Sequence, residues 1–285
     1  MILTGAGRLA GVVGWPIAHS LSPVLQGYWL DELKLDGALV PLGIRREDFT
    51  YVIRALQQAG FRGVNVTVPH KEAAFSLAHF CDAAAQAAGA ANLLVFHPDG
   101  RIEGRNTDTI GLTESLRETM GSLSGRTVLL LGAGGAARGA VPALDTLGAA
   151  KIHILNRHAD KAAALTRALQ PTVKTVLLPG GLDDWNKVAG DADLLANTTS
   201  AGMKGNGALT LDLAALRQGA TVLDIVYNPL ETELLKQARA RGHVAIDGLG
   251  MVMHQAAPSF EAFFGVKPKV TAGLRAVLER ALAGA

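Results

Sequence analysis

Short apolar runs alternate with segments of helical periodicity along most of the chain, and many of the runs end at glycine or turn residues. The first part consists of LAGVVG, then LQGYWLDEL, then ALVPLGI. The next segment repeats apolar residues at the 3.6-residue spacing of a helix, at Phe49, Val52, Ile53 and Leu56, and Gly60 is placed to end it. Strands that alternate with helices indicate an α/β layer structure.

The segment GVNVTVPHK predicts a strand with two different faces. A period of two places Val64, Val66 and Val68 on one face, and Asn65 and Thr67 on the other. A buried polar stripe requires partners. If this strand lies inside an α/β domain, we expect the amide and the hydroxyl to meet a polar ligand.

A helix is predicted directly after this strand, with Pro69 in its first turn, where a missing N–H is tolerated. Lys71 then follows the carboxyl end of the strand, which is where open α/β sheets bind ligands. A single lysine in such a place is typical of a solvated surface, but the adjacent polar stripe favours a functional role.

The loop GSLSG at residues 121–125 interrupts the pattern after a helical stretch from about residue 110 to 120. We place a domain boundary at this stretch. Beyond it, the strands TVLLL, KIHIL, TVLL, DLLAN and TVLDIVY are separated by helix-length segments, as in a doubly wound parallel sheet. After DGLGM the chain has a helical pattern to its end, with Leu274, Val277, Leu278 and Leu282 on one face. The predicted domains are residues 1–110, completed by helices in 249–285 that pack back on them, and residues 111–248.

The first strand of the second domain runs into a glycine loop that matches G-x-G-x-x-A. Gly132 permits a tight turn, and Gly134 lets a pyrophosphate approach the main chain at the N-terminus of a helix that begins near Ala136. The motif alone also fits a simple strand–helix turn. Its position after a buried strand favours dinucleotide binding.

The second strand of this domain ends in Asn156 and Arg157, with Lys161 one turn further on. An NAD-binding fold usually has a carboxylate at this point for the ribose 2′-hydroxyl, whereas a guanidinium can bind a 2′-phosphate with two hydrogen bonds. The residues therefore predict NADP rather than NAD. The alternative is that both cations belong to a solvated helix face.

Two polar segments have two interpretations each. Ser20 and Ser22 stand two apart, so their hydroxyls face the same way in an extended segment, but Ser22 followed by Pro23 also fits a helix cap. Asp108 likewise fits either a cap of the helix that begins there or a functional role.

Composition and charge exclude several classes of protein. With 49% apolar and 18% charged residues the chain is not intrinsically disordered, and no run of about 18 uncharged apolar residues suggests a membrane span. A formal charge of +2 lacks the basic footprint of a nucleic-acid binder. The N-terminal segment has no secretory pattern and Cys81 has no second cysteine to pair with, so we expect a cytoplasmic protein. No metal-ligand spacing is recognisable.

Nine motifs, in the same order and over nearly the whole chain, resemble the shikimate dehydrogenase family: IAHSLSP, NVTVPHKE, GAAN, NTD, GAGGAARG, NR, NTTSAGM, VYNPLET and GLGMVMHQA. The resemblance implies that the first domain and the C-terminal helices hold shikimate, that a Rossmann-type second domain binds NADP(H), and that catalysis occurs in the cleft between them. The implied reaction is the reversible reduction of 3-dehydroshikimate to shikimate, in chorismate and aromatic amino acid biosynthesis.

The resemblance also implies roles for individual residues. Lys71 and Asp108 match the catalytic pair. The implied substrate-binding residues are Ser20 and Ser22, on the carboxylate, with Asn65, Thr67, Asn92, Tyr227 and Gln255. The implied cofactor-binding residues are Gly132, Gly134, Gly135, Ala136, Asn156, Arg157, Lys161, Ile225 and Gly248.

Three residues depart from the family pattern, namely Leu93, Thr109 and His158. The first two adjoin expected substrate residues, which leaves room for a related substrate such as quinate or an aminoshikimate. One alternative is therefore a quinate/shikimate dehydrogenase that uses NAD, although Arg157 argues against NAD. Another is a non-catalytic dinucleotide-binding sensor, which would have no need to retain both Lys71 and Asp108. The expected partner is a small-molecule substrate, and a homodimer is compatible with the sequence.

Overall fold

The structure, a computed structural model, describes residues 3–284. It divides into two compact units: the residues up to Asp108 together with those from Met253 onward, and Thr109–Val252.

The strands are β1 (Arg8–Gly14), β2 (Gly37–Gly43), β3 (Gly63–Val66), β4 (Phe80–Cys81), β5 (Leu93–Phe96), β6 (Ile102–Arg105), β7 (Thr127–Leu131), β8 (Lys151–Asn156), β9 (Val176–Gly181), β10 (Leu194–Asn197), β11 (Thr221–Asp224) and β12 (Val244–Ile246). The α-helices are α1 (Ser22–Glu32), α2 (Phe49–Gln58), α3 (Lys71–Leu77), α4 (Ala83–Ala88), α5 (Asp108–Met120), α6 (Gly135–Thr146), α7 (Ala159–Leu169), α8 (Trp185–Val188), α9 (Glu233–Ala240), α10 (Leu249–Phe264) and α11 (Ala272–Ala283).

The first unit contains a mixed six-stranded sheet in the order β2-β1-β3-β5-β6-β4. Strand β1 runs parallel to both β2 and β3, whereas β5 is antiparallel to β3 and β6. The sequence pattern did not single out β4, β5 or β6. The turn HPDG between β5 and β6 was a usable signal, because Pro-Asp-Gly favours a tight turn.

The C-terminal helices pack on the first unit. Helix α11 packs against α1, and Trp29 of α1 meets Phe260 of α10 edge to face, with ring centroids 5.4 Å apart. Both aromatic side chains are fully buried. Leu274 and Leu278 of α11 are buried as well.

The segment after β3 differs from the prediction. Strand β3 ends at Val66, and Val68 is 69% exposed instead of sharing a buried face with the two valines before it. Helix α3 begins only at Lys71, so Pro69 precedes the helix rather than lying in its first turn. Proline has no N–H for a strand ladder, which is consistent with the strand ending before it.

His70 fixes the entry to α3. Its side chain is buried, its Nε2 donates to the carbonyl oxygen of Ile44 at 2.7 Å, and its ring stacks on Phe49 with centroids 4.7 Å apart. The residue directly before Lys71 is therefore held by packing and a hydrogen bond.

The second unit contains a six-stranded parallel sheet in the order β12-β11-β10-β7-β8-β9. The chain starts in the middle at β7 and proceeds to one edge and then the other, which is the doubly wound Rossmann topology that the sequence predicted. Alternate residues of β7 join different cores, Val128 and Leu130 on one face and Leu129 and Leu131 on the other. Strand β12 was not predicted.

Within residues 3–284 no helix has both the length and the apolar character that crossing a membrane would require.

Gly63 allows β3 to lie close to its neighbours. A Cβ atom at this position would come within 2.2 Å of the carbonyl oxygen of Leu94 and 2.7 Å of a ring carbon of Phe263. We expect Gly63→Ala to lower the free energy of unfolding by about 1–3 kcal/mol, the usual cost of overpacking a core.

Gly27→Ala is the matched control, because a Cβ there meets nothing within 4 Å and alanine favours the helix by up to about 1 kcal/mol. Urea unfolding of both variants measures the difference. Equal stability of the two variants would contradict the packing argument.

Candidate active site

An ion pair joins the first residues of two helices, and both of these residues belong to the first unit. Lys71 begins α3 and Asp108 begins α5, and the lysine Nζ donates to Oδ2 of the carboxylate at 2.5 Å. The side chains of Lys71 and Asp108 are 27% and 10% exposed, respectively. The structure thus brings together the two residues expected to form the catalytic pair, and leaves the ammonium partly open.

Asn92 holds the other side of this carboxylate. Its Nδ2 donates to Oδ1 of Asp108 at 2.8 Å, and its Oδ1 accepts from the main-chain N–H of Thr107 at 2.8 Å. The side chain is buried. Asn92 was expected to contact the substrate, and the structure shows that its amide also orients Asp108.

Thr107 extends the network, and the sequence analysis did not single it out. Its hydroxyl accepts from Nδ2 of Asn92 at 3.1 Å and lies 3.3 Å from Oε1 of Gln255, to which it donates. Asn106 accepts the main-chain N–H of Asp108 at 3.1 Å. Consecutive polar residues between a strand and a helix, as in NTD, were the available signal.

The capping interpretations of two residues are not what the structure shows. The carboxylate oxygens of Asp108 bond Lys71 and Asn92. Ser22 is the first residue of α1 rather than its cap, the cap position is Leu21, and no side chain caps this helix. The hydroxyl of Ser20 accepts the main-chain N–H of Ser22 at 3.3 Å, so the two serines lie side by side.

The remaining expected substrate residues divide between the two units. Asn65 and Thr67 lie at the carboxyl end of β3, and Gln255 lies on α10 in the same unit. Tyr227 belongs to the other unit. Burial raises the pKa of the Tyr227 phenol above its ordinary value of 10.0, so this group remains a hydrogen-bond donor at neutral pH.

The glycine loop of the second unit fits a phosphate group. Gly132 has φ +109°, and a Cβ there would lie 2.9 Å from the hydroxyl oxygen of Thr198, so glycine is required for two reasons. Gly134 caps α6 and Gly135 begins it, and a Cβ at either position meets nothing within 4 Å. The N-terminal N–H groups of α6, which Ala136 continues, therefore have open space beside them, as pyrophosphate binding requires.

The residues expected around a 2′-phosphate lie at the carboxyl end of β8. Asn156 is its last residue and donates from Nδ2 to the carbonyl oxygen of His158 at 3.0 Å. Arg157 and Lys161 are exposed. An amide thus occupies the position where NAD-binding folds place a carboxylate, with two cations beside it.

A buried carboxylate that the sequence analysis did not single out shapes the ends of β10 and β11. Asp224 accepts hydrogen bonds from Asn197 Nδ2 at 2.9 Å, the N–H of Val226 at 3.0 Å and the hydroxyl of Thr232 at 2.7 Å. Burial, which outweighs these three donors, raises the pKa of Asp224 above its ordinary value of 3.8. The aspartate at the end of an apolar strand was the available signal.

Ile225 and Gly248, both expected near the nicotinamide, are neighbours in the second unit. A Cβ on Gly248 would lie 2.1 Å from the carbonyl oxygen of Ile225, so only glycine permits this approach.

The three departures from the family pattern serve the protein's own structure or lie on its surface. Leu93 is fully buried in β5, and Thr109 donates its hydroxyl proton to the carbonyl oxygen of Gly139 at 3.1 Å. His158 is exposed at the cap position of α7. Across residues 3–284 no group of three or more His, Cys, Asp or Glu side chains is arranged to hold a metal ion.

Two family models match consecutive parts of the chain. The model of the shikimate dehydrogenase substrate binding domain matches residues 12–94, and the model of shikimate / quinate 5-dehydrogenase matches residues 114–224. A curated relative from Paramagnetospirillum magneticum, shikimate dehydrogenase (NADP(+)), is 47% identical over 279 residues, which cover 96% of this chain and 99% of the relative.

Two solved structures are similar to nearly the whole of this chain. Shikimate 5-dehydrogenase from Thermus thermophilus, in complex with NADP(H) and shikimate, has a TM-score of 0.84 at 32% identity, covering 97% of this chain and 99% of that one. Quinate dehydrogenase from Corynebacterium glutamicum, in complex with NAD, has a TM-score of 0.88 at 28% identity, covering 95% and 98% of the two chains.

Gly134 provides a test of the phosphate-binding loop. Its φ of −96° is one that alanine also adopts, and a Cβ there meets nothing within 4 Å, so Gly134→Ala is expected to remain folded. The added methyl group occupies the open space at the helix N-terminus, and we expect the Kd for NADP+ to rise about tenfold or more, which is about 1.4 kcal/mol.

The control is Gly190→Ala, where a Cβ makes only an ordinary contact, 3.9 Å from the carbonyl oxygen of Ala215. Calorimetric titration with NADP+ measures both variants. Unchanged affinity in Gly134→Ala would exclude this loop as the binding site.

Proposed function

This chain belongs to the shikimate dehydrogenase family, and on that basis we propose how its residues carry out the reversible, NADP-dependent reduction of 3-dehydroshikimate to shikimate. The observation that carries the proposal is the Lys71–Asp108 ion pair with Asn92 on its second oxygen. This arrangement supplies a positioned proton donor, which the reduction of a ketone to an alcohol requires.

Lys71 handles the proton. When the carbonyl carbon gains a hydride, the oxygen becomes an alkoxide, and Nζ of Lys71 donates a proton to it; in the oxidation, the same nitrogen takes the hydroxyl proton back. Asp108 orients this nitrogen through the 2.5 Å hydrogen bond, and Asn92 fixes the carboxylate. The carboxylate also balances the charge of the ammonium.

The second unit holds NADP(H), which supplies the hydride when bound. Gly132 and Gly134 shape the loop that receives the pyrophosphate, and the N–H groups of Gly135 and Ala136 lie at the start of α6. The 2′-phosphate is bound by Asn156, Arg157 and Lys161, and the nicotinamide end meets Ile225 and Gly248.

The substrate is held by polar side chains of several elements. Ser20 and Ser22, whose positions the 3.3 Å hydrogen bond links, bind its carboxylate. The hydroxyl groups of the ring are bound by Asn65, Thr67, Asn92, Tyr227 and Gln255. Cytoplasmic location and a homodimer remain predictions from the sequence.

We favour shikimate over quinate as the substrate because two curated relatives named shikimate dehydrogenase are 47% and 48% identical to this chain. The quinate dehydrogenase of known structure is 28% identical to it. Leu93 and Thr109 no longer argue for a different substrate, because one is buried and the other bonds Gly139.

A direct assay tests the function. Reduction of NADP+ and NAD+ is followed with shikimate and with quinate, in all four combinations. We expect the highest kcat/KM for shikimate with NADP+. Tight NADP+ binding without turnover of either acid would instead support a dinucleotide-binding sensor, and a preference for NAD+ with quinate would support the quinate enzyme.

Lys71→Ala tests the proton-transfer role. We expect kcat to fall about 10²–10⁴-fold, as is typical when general acid–base catalysis is lost, with nearly unchanged affinity for NADPH. Steady-state kinetics and a fluorescence titration with NADPH measure the two quantities.

Lys187→Ala is the matched control, since Lys187 also pairs with an aspartate, Asp184, at 2.7 Å, but its side chain is 74% exposed. Its turnover should equal that of the unmodified protein. Near-normal turnover in Lys71→Ala would refute the assignment.

A further inference from the structure

Three buried polar side chains form a chain of hydrogen bonds beneath the proposed substrate site. Nε2 of Gln26 donates to Oδ1 of Asn65 at 3.0 Å, and Nδ2 of Asn65 donates to the hydroxyl oxygen of Ser259 at 2.6 Å. Gln26 and Ser259 are fully buried and Asn65 is 8% exposed. Of the three, only Asn65 is expected to touch the substrate.

The sequence spacing places Gln26 and Ser259 directly behind residues that are expected to bind the substrate. Gln26 follows Ser22 by four positions on α1, and Ser259 follows Gln255 by four positions on α10, so each lies one helical turn further along the same face. The expected substrate residues thus have buried polar residues next to them on two helices that flank Asn65.

The Gln26 amide and the Ser259 hydroxyl each bond the Asn65 amide and together restrict its orientation. An asparagine amide offers two acceptor positions on its oxygen and two protons on its nitrogen. Gln26 uses one acceptor position and Ser259 receives one proton. One acceptor position and one proton remain, which together suit a hydroxyl group, because a hydroxyl both donates and accepts.

The orientation of the Gln26 amide is linked to that of Asn65 by the same pairing of donors with acceptors. Within the described residues its Oε1 is buried and has no hydrogen-bond partner. Turning the Gln26 amide over would place this oxygen against Oδ1 of Asn65, so two acceptors would face each other. A rotated Asn65 amide would likewise direct its protons at the Gln26 donor. The orientations of the two amides are therefore coupled, because only turning both over together would again pair a donor with an acceptor at each contact.

We propose that Gln26 and Ser259 are positioning residues that set the orientation of Asn65 and thereby the affinity for a ring hydroxyl of the substrate. This inference rests on the proposed function. Gln26 and Ser259 act through Asn65, so their effect on substrate binding must vanish when the Asn65 amide is absent.

A double-mutant cycle tests this dependence. The variants are Gln26→Leu, Asn65→Ala and both together, with KM for shikimate, KM for NADP+, kcat and the unfolding midpoint measured for each. We expect Gln26→Leu to raise KM for shikimate about three- to tenfold, as the loss of one ordinary hydrogen bond does, without changing KM for NADP+. In the Asn65→Ala background, Gln26→Leu should change KM for shikimate by less than about twofold.

Two further variants separate positioning from general destabilisation. Ser259→Ala removes the other partner with a smaller change in volume and should also raise KM for shikimate only when Asn65 is present. Ser259→Thr keeps the hydroxyl and should keep KM near that of the unmodified protein. Gln57→Leu is the control for the glutamine substitution, because the Gln57 side chain donates to the exposed carbonyl oxygen of Gly100 at 2.9 Å and not to a residue of the site.

The outcomes distinguish the two proposals. If Gln26→Leu and Ser259→Ala raised KM for shikimate equally with and without the Asn65 amide, or did not raise it at all, the positioning role would be overturned while the enzyme's function stood. If the unmodified protein oxidised no shikimate, the proposed function would be overturned, and this inference with it.

Discussion

The carboxylate of Asp108 is the group on which the rest of the site depends, because it is shared between an ammonium and an amide. It accepts from Lys71 on one oxygen and from Asn92 on the other, at 2.5 and 2.8 Å. A charged side chain that is only 10% exposed is expensive to bury unless each of its oxygens is bonded. Both oxygens are bonded, so Asp108 has a fixed position from which to orient Lys71.

Each partner of this carboxylate is in turn held by the fold. Lys71 follows His70, which is buried and bonded to Ile44. Asn92 directly precedes β5 and accepts a main-chain hydrogen bond from Thr107. An exposed ion pair contributes only about 0–1 kcal/mol and samples many geometries. This pair is constrained by the buried His70 before the lysine and by Asn92 on the carboxylate. Such constraint is what a proton donor requires in order to meet one oxygen of a substrate.

The sequence predicted much of this structure where the signal is local. The parallel sheet of the second unit and the start of α6 follow from apolar strands, a glycine loop and periodic helices, and α6 begins at Gly135, one residue before the expected position. The short strands β4, β5 and β6 were not predicted, since two to four residues carry little periodicity. Val68 has the residue type of a core position but lies beyond the end of its strand.

The contacts within the site were less accessible from sequence. Motifs identified Asn65 and Asn92, but their partners depend on tertiary structure: Ser259 is 194 positions from Asn65 in the chain. Local periodicity contains no information about such pairs, and the buried network of Asp224 is a similar case. The resemblance to a family named residues expected to touch ligands, and it did not name Gln26, Thr107 or Ser259, which bond them.

The central claim is that Lys71 and Asp108 act as one catalytic unit. The most direct measurement is kcat for shikimate oxidation in Lys71→Ala, in Asp108→Ala and in the double variant, each confirmed as folded. If the carboxylate works only through the ammonium, the double variant is no slower than the slower single variant. A double variant whose loss equals the product of the two single losses would show two independent roles and contradict this account.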